Sequence, residues 1–193
     1  MTVRDPFAVF AEIFAQAQAL EIENANAMHL ATADSAGQPS VRVVLLKDFD
    51  RAGFVFYTNL ESGKGRQLAA NTRTEVNFYW RELERQIRIA GTVEPVTDDE
   101  ADAYFASRPR ISQLGAWASR QSEELPSQAR LVANVAKYEG RHLGREVPRP
   151  PFWSGFRIVP ERFEFWHSKP FRLHERSEYR RTADGWQHRL LYP

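Results

Sequence analysis

The chain has 193 residues, with 26 Lys plus Arg against 25 Asp plus Glu for a formal net charge of +1, and no cysteine. A balanced charge argues against a general nucleic-acid or membrane-surface binder, and the lack of cysteine excludes disulfides, thiolate catalysis and cysteine-ligated metals while suiting a reducing compartment. No apolar run approaches the ~20 residues of a membrane span and the N-terminus has no signal-peptide core. A soluble, cytoplasmic protein is therefore expected, with residues 1–193 forming one domain or one protomer of a symmetric oligomer.

Asp5 before Pro6 reads as an N-cap and first helical position, and Phe7, Phe10, Phe14 and Ala17 recur at helical spacing. Met28 to Ala33 is a strand that ends in the turn-forming run Asp34 to Pro39. Val41 to Asn59 then reads as a β-hairpin whose loop is Asp48 to Gly53. Its first strand is too apolar to face water, yet Arg42 and Lys47 interrupt it, so anions are expected beside them unless they snorkel or meet the protein's own carboxylates. Ser62-Gly63-Lys64-Gly65 followed by a short helix, Arg66 to Asn71, outlines an anion site of hydroxyl, ammonium and free amides, or an ordinary capped helix.

Glu75 to Trp80 and Arg85 to Val96 form a second hairpin, and Thr97 to Glu100 matches a capping box for a helix that stops before Pro109. Residues 108–122 crowd Arg108, Arg110, Ser112, Ser119, Arg120, Gln121 and Ser122 around the apolar centre Leu114 to Trp117, a composition suited to gripping phosphate or to a solvated helix end. Ser127 to Tyr138 is a further helix, and Pro148 to Pro151 a stiff connector. The tail is β-like at Phe156 to Val159, Arg162 to Trp166, Phe171 to Tyr179 and Trp186 to Leu191. About seven strands with interspersed helices predict an α+β fold on a mainly antiparallel barrel.

The five histidines show no close-spaced ligand pair, which argues against a metal site. Walker, G-x-G-x-x-G and G-x-S-x-G motifs are absent from the sequence. Separate cationic and hydroxyl clusters remain, enough for two phosphate groups, with aromatic residues able to flank a planar ring; flavin mononucleotide and a phosphorylated small substrate are the candidates.

R-V-V-L-L-K (42–47), F-Y-T-N (56–59), E-R-Q (84–86), Y-F-A-S-R-P-R-I-S-Q-L-G-A-W (104–117), S-R-Q-S (119–122), F-E-F-W (163–166) and R-L-H-E-R (172–176) stand in the order found in pyridoxine/pyridoxamine 5′-phosphate oxidases, which the chain resembles over nearly its whole length. The resemblance implies a split-barrel homodimer with flanking helices and flavin mononucleotide (FMN) at the subunit interface. It implies oxidation of pyridoxine or pyridoxamine phosphate to pyridoxal phosphate by dioxygen, with release of hydrogen peroxide. It places flavin contacts on Arg42, Tyr57, Thr58, Lys64, Gln86, Gln121, Ser122, Trp166 and Arg176, and substrate contacts on Lys47, Tyr104, Arg108, Ser112, Arg172 and His174.

Arg172 and His174, two apart in an expected strand, would share a face and orient the reacting ring as the catalytic pair. The family commonly has S-R-K where this chain has Ser62-Gly63-Lys64, so one expected phosphate contact is missing, with Arg66 or the Ser62 hydroxyl and backbone amides as substitutes. Two other readings stay open: a phenazine-precursor oxidase of the same fold, and a non-catalytic split-barrel protein that binds flavin or pyridoxal phosphate.

Overall fold

The computed structural model describes residues 4–20 and 22–193. The Asp5 side chain accepts from the Phe7 N–H, and Pro6 opens α1 (Pro6–Ala19), since proline forfeits an N–H that no helix uses at that position. The buried stripe Phe7, Phe10, Ile13, Phe14 and Ala17 enters the main core, where the Phe10 ring meets Phe54 at 4.8 Å and Phe78 at 5.2 Å, edge to face.

The strands are β1 (Ala27–Ala33), β2 (Pro39–Leu45), β3 (Asp48–Asp50), β4 (Gly53–Asn59), β5 (Arg73–Trp80), β6 (Arg85–Pro95), β7 (Trp153–His167), β8 (Glu175–Thr182) and β9 (Gly185–Leu191). They form one nine-stranded antiparallel sheet in the order β2-β1-β5-β6-β7-β4-β3, with β8 on β7 and β9 on β8. The sheet closes on itself through the chain between β2 and β3: Leu46 N–H bonds Asn26 O at 2.8 Å, and Lys47 N–H bonds Val55 O at 2.9 Å. One extended run thus pairs with β1 in its first half and β4 in its second, as a barrel without free edges there requires.

That crossing overturns the expected Val41–Asn59 hairpin. Here β2 pairs with β1, and the hairpin in this stretch is the short β3–β4 pair, turning at Arg51-Ala52 with Asp50 opposite Gly53. Asp48-Phe49-Asp50 alternates polar, apolar, polar, so its Phe49 packs against Phe10 and Phe54 while both carboxylates stay out. The period-two pattern outweighed the turn propensity of aspartate. Within one chain β2 is covered on one face only: Val44 packs on the core, while Val41 and Val43 on the other face are 63% and 56% exposed.

Two further expectations change. The segments Phe156–Val159 and Arg162–Trp166 are one strand, β7, because the register shift between Ala90 and Gly91 leaves Glu161 unpaired as a bulge next to Pro160, which stands opposite Gly91 and cannot donate to a ladder. The strand expected from Phe171 begins only at Glu175; Pro170–Arg172 is a 3-10 turn, with Phe171 at φ 58° and Arg172 at φ 61°.

The helices are α2 (Gly63–Ala70), α3 (Asp98–Ser107), α4 (Arg110–Ala118) and α5 (Gln128–Arg141). Ser62, Thr97 and Ser127 cap α2, α3 and α5 through their hydroxyls, and the Thr97–Glu100 capping box is complete. A second core of Phe105, Leu114, Val147 and Trp153 ties α3 and α4 to the start of β7. Among the described residues no helix is long and apolar enough to cross a membrane.

Candidate functional site

Where the ends of β2 and β4 meet α3 and α4, a cleft of about 650 Å³ opens, lined by Lys47, Tyr57, Thr58, Lys64, Tyr104, Arg108, Ser112 and Gln121 among others. Its floor is aromatic. The Tyr57 ring lies 4.1 Å from Tyr104 and 5.4 Å from Trp153, nearly parallel to both. Gly155 permits this stack, since a Cβ there would lie 2.7 Å from the Tyr57 ring.

The α3–α4 elbow at Pro109 places Tyr104 in the last turn of one helix and Ser112 in the first turn of the next, with Arg108 between them. The Arg108 guanidinium lies 4.8 Å over the Trp153 ring, and its buried Nη1 has no hydrogen-bond partner. Lys47 Nζ sits 5.6 Å from the centre of the Tyr104 ring. Both cations therefore rest on ring faces with donors left over.

At the other end of the cleft, Ser62 starts α2, whose backbone fits against the Leu60 carbonyl only because residue 65 is glycine; a Cβ would come within 2.1 Å of it. Lys64 Nζ donates to Thr58 Oγ1 at 3.1 Å, Gln121 Oε1 at 3.2 Å and Ser62 Oγ at 3.4 Å. The Gly63 N–H donates to Ser122 Oγ at 3.0 Å. Behind Lys64, Arg42 donates to Thr32 Oγ1, to Leu30 O at 3.4 Å and to Gln67 Oε1 at 3.2 Å.

Among the described residues, no carboxylate lies within ion-pair distance of Arg42, Lys47, Lys64 or Arg108, although Arg88, Arg149, Arg157 and Arg162 each have two. Burial lowers the pKa of Arg42 and Arg108; burial, then the nearby Arg42 charge, lowers that of Lys64. Uncompensated, partly buried cations such as Arg42, Lys64 and Arg108 are costly, and an anion bound among them would recover that cost; Lys47 is exposed. Carboxylates of the described residues, the alternative partners for Arg42 and Lys47, are not used.

A second group lies elsewhere. Gln86 pairs in register with Trp166, and Trp166 with Arg176, so the three stand in one row across β6, β7 and β8. The His174 ring is 4.8 Å from that of Trp166, and its Nδ1 accepts the Lys169 N–H at 3.2 Å. A neutral His174 ring therefore carries its proton on Nε2 and presents it as a donor. Arg176 is bound to the buried Glu164 carboxylate at 2.7 and 2.9 Å. Arg172, exposed in the 3-10 turn, does not share a strand face with His174, because two successive left-handed residues turn the chain there.

The two groups lie at opposite ends of β7: Trp153 is in the cleft and Trp166 is thirteen residues on. That spacing is roughly 40 Å along an ideal strand, beyond the span of one small ligand. Within one chain, then, Lys47, Tyr57, Thr58, Lys64, Tyr104, Arg108, Ser112 and Gln121 come together, with Arg42 and Ser122 adjoining, while Gln86, Trp166, Arg172, His174 and Arg176 do not join them.

Several sequence expectations for residues 61–122 change. Arg66 is exposed and donates to Glu61 O, so it does not replace the missing arginine at position 63. Arg110 is engaged by Glu139, Arg145 O and His142 O, and Arg120 by Glu123. Asn59 and Trp153 line the cleft without having been singled out, since neither sits in a charged cluster.

Residues 14–142 match the family profile described as pyridoxamine 5′-phosphate oxidase, and residues 153–193 that described as pyridoxine 5′-phosphate oxidase C-terminal dimerisation region. A pyridoxine/pyridoxamine 5′-phosphate oxidase of Rhodopseudomonas palustris (strain TIE-1) is 56% identical over 191 residues, covering 98% of this chain and 90% of the relative. One of Myxococcus xanthus (strain DK1622) is 54% identical over 189 residues, covering 98% and 92%. Among solved structures, PhzG of Burkholderia lata 383 in complex with tetrahydrophenazine-1-carboxylic acid superposes with a TM-score of 0.93 at 34% identity, covering 98% of this chain and 93% of that one. With family profiles matching residues 14–142 and 153–193 and a relative 56% identical over 98% of this chain's length, the chain belongs to the pyridoxine/pyridoxamine 5′-phosphate oxidase family.

Proposed function

We propose that this chain oxidises pyridoxine or pyridoxamine 5′-phosphate to pyridoxal 5′-phosphate with FMN and dioxygen, releasing hydrogen peroxide, and that it works as a homodimer of single-domain protomers. The observation that carries this reading is the set of three cations lining one cleft, Lys47, Lys64 and Arg108, with Arg42 behind Lys64, none of them with a carboxylate partner among the described residues. They fall into two groups, suited to two phosphates. Arg42 and Lys64, with Thr58, Gln121 and Ser122 beside them, would hold the FMN phosphate. Lys47, Tyr104, Arg108 and Ser112 would hold the substrate's, the orphaned Arg108 Nη1 being a donor already placed for it.

Bound FMN would supply the two-electron acceptor, taking a hydride from the substrate carbon and handing both electrons to dioxygen. The protein's own part is to hold and orient. Gln86, Trp166 and Arg176 would flank the flavin, and the His174 Nε2–H and the Arg172 guanidinium would fix the substrate ring. Because these residues lie roughly 40 Å along β7 from the phosphate cleft, they serve that cleft only from a second copy of the chain. Exposed Val41 and Val43 on β2 and Phe171 and Leu173 on the 3-10 turn supply apolar surface for such a contact.

PhzG's bound carboxylic acid motivates the second reading, a phenazine-precursor oxidase. Lys47, Arg108 and Ser112 together are better suited to the dianionic phosphate of a vitamer than to a single carboxylate. Peroxide formation by flavin-loaded protein with pyridoxamine phosphate is the deciding assay. No peroxide from a loaded sample would sink the proposal, and turnover of a dihydrophenazine carboxylate instead would establish the second reading.

Shared sites also link assembly to cofactor. On dilution below the dimer dissociation constant, flavin should be released in step with monomer formation, as mass action requires. Sedimentation with detection at the flavin's absorbance checks this; a monomer that still carries flavin would contradict it.

A further inference from the structure

Arg42 is held by neutral acceptors in every hydrogen bond the structure gives it: Leu30 O, Thr32 Oγ1 and Gln67 Oε1. The Gln67 amide is fixed in turn. Its Oε1 also accepts from Thr32 Oγ1 at 2.6 Å, and its Nε2 donates to Ser40 Oγ at 3.0 Å. Thr32 and Ser40 face each other in the β1–β2 register, and Gln67 reaches them from α2, one turn beyond Lys64. Only the amide oxygen can accept from a guanidinium, so Arg42 sets which end of the Gln67 amide faces it, and the Ser40 and Thr32 hydroxyls hold that amide in place.

A carboxylate at position 67 would fit the same space and bind the guanidinium more tightly, but it would cancel the charge. We propose that Gln67 is a positioning residue that aims Arg42 at the FMN phosphate while leaving its charge uncompensated, an inference resting on the reading of Arg42 and Lys64 as the flavin phosphate site. Neutral support also explains why Arg42 and Lys64 are two adjacent cations without an intervening acid. Their mutual repulsion is left for the ligand to relieve.

The test is Gln67→Glu, measured by FMN titration and by thermal unfolding of the flavin-free dimer. The variant should bind FMN at least about tenfold more weakly, because the new carboxylate neutralises Arg42 and repels the phosphate. Its flavin-free melting temperature should be no lower than the parent's, since the ion pair replaces a neutral hydrogen bond. Riboflavin, which lacks the phosphate, should bind parent and variant alike. Unchanged FMN affinity, or an equal loss for riboflavin, would overturn the inference.

Should Gln67→Glu fail to fold, Ser40→Ala serves instead: it removes the contact fixing the amide and should weaken FMN binding by about two- to tenfold. No change in that variant would likewise overturn it. A parent protein that binds no FMN would instead refute the reading beneath it, so the two failures are distinguishable.

Discussion

His174→Ala should lower kcat/KM for the phosphorylated vitamer by about 10²-fold while the purified protein keeps its flavin. The Lys169 N–H fixes the imidazole through Nδ1, leaving the Nε2–H as the group that, on the proposed function, would meet the substrate ring. Losing it frees the reacting carbon to wander, and a misplacement of about 1 Å is enough for a loss of that size. Arg172→Ala should act in the same direction, because the left-handed Phe171-Arg172 pair exposes a guanidinium that has no partner among the described residues. Neither change touches the Arg42 and Lys64 group, so flavin affinity should move far less than kcat/KM. Steady-state kinetics with a flavin titration decide it. A His174→Ala protein that loses flavin yet turns over normally with flavin in excess would show that the residue serves the cofactor.

The two phosphate groups can be separated by a pair of substitutions. Lys64→Ala should weaken FMN binding by about 10- to 150-fold, the equivalent of ~1.5–3 kcal/mol for one charged hydrogen bond. The full range is expected because Gly63 offers no second cation and Arg66 is occupied by Glu61 O. Thr58, Gln121 and Ser62, now bonded to Lys64, would also lose the group that gathers them. Arg108→Ala should instead raise KM by a similar factor with flavin retained and kcat little changed, because a phosphate contact far from the reacting carbon is made equally in ground and transition states. Fluorescence titration of flavin and initial rates on both variants check the assignment. Flavin loss in Arg108→Ala, with only substrate affinity lost in Lys64→Ala, would mean the two phosphates are exchanged.

Local rules account for what could be read ahead of the structure. Asp5-Pro6, Thr97 with Glu100, and Ser127 start helices through interactions within a few residues of themselves, so each is written in a short stretch of sequence. The β5–β6 and β8–β9 pairs join neighbours in the chain, with a short turn between them. The motif order from R-V-V-L-L-K to R-L-H-E-R carried the family, and with it the candidate residues, without any knowledge of where they lie in space.

The errors came where a distant partner outvotes a local preference. The Asp48 to Gly53 run looks like a loop until β4 pairs with its first half, and Pro160 looks like a break until the shift at Ala90/Gly91 accommodates it. The same holds for Phe171 to His174, whose β-like composition lost to two left-handed residues.

Sequence by itself determined the starts of α1, α3 and α5, the antiparallel sheet character and the family, because caps, periodicity and motif order are properties of contiguous residues; α2, expected from Arg66, starts at Gly63, and α4 was not foreseen. Only the tertiary structure decided that Arg42 and Lys64 stand without carboxylates among the described residues, that Gln67 supports Arg42 from another element, and that Trp153 and Trp166 lie at opposite ends of one strand. Charge compensation and distance arise between segments far apart in the chain, and they are set by the sheet's register and closure, to which the whole chain contributes.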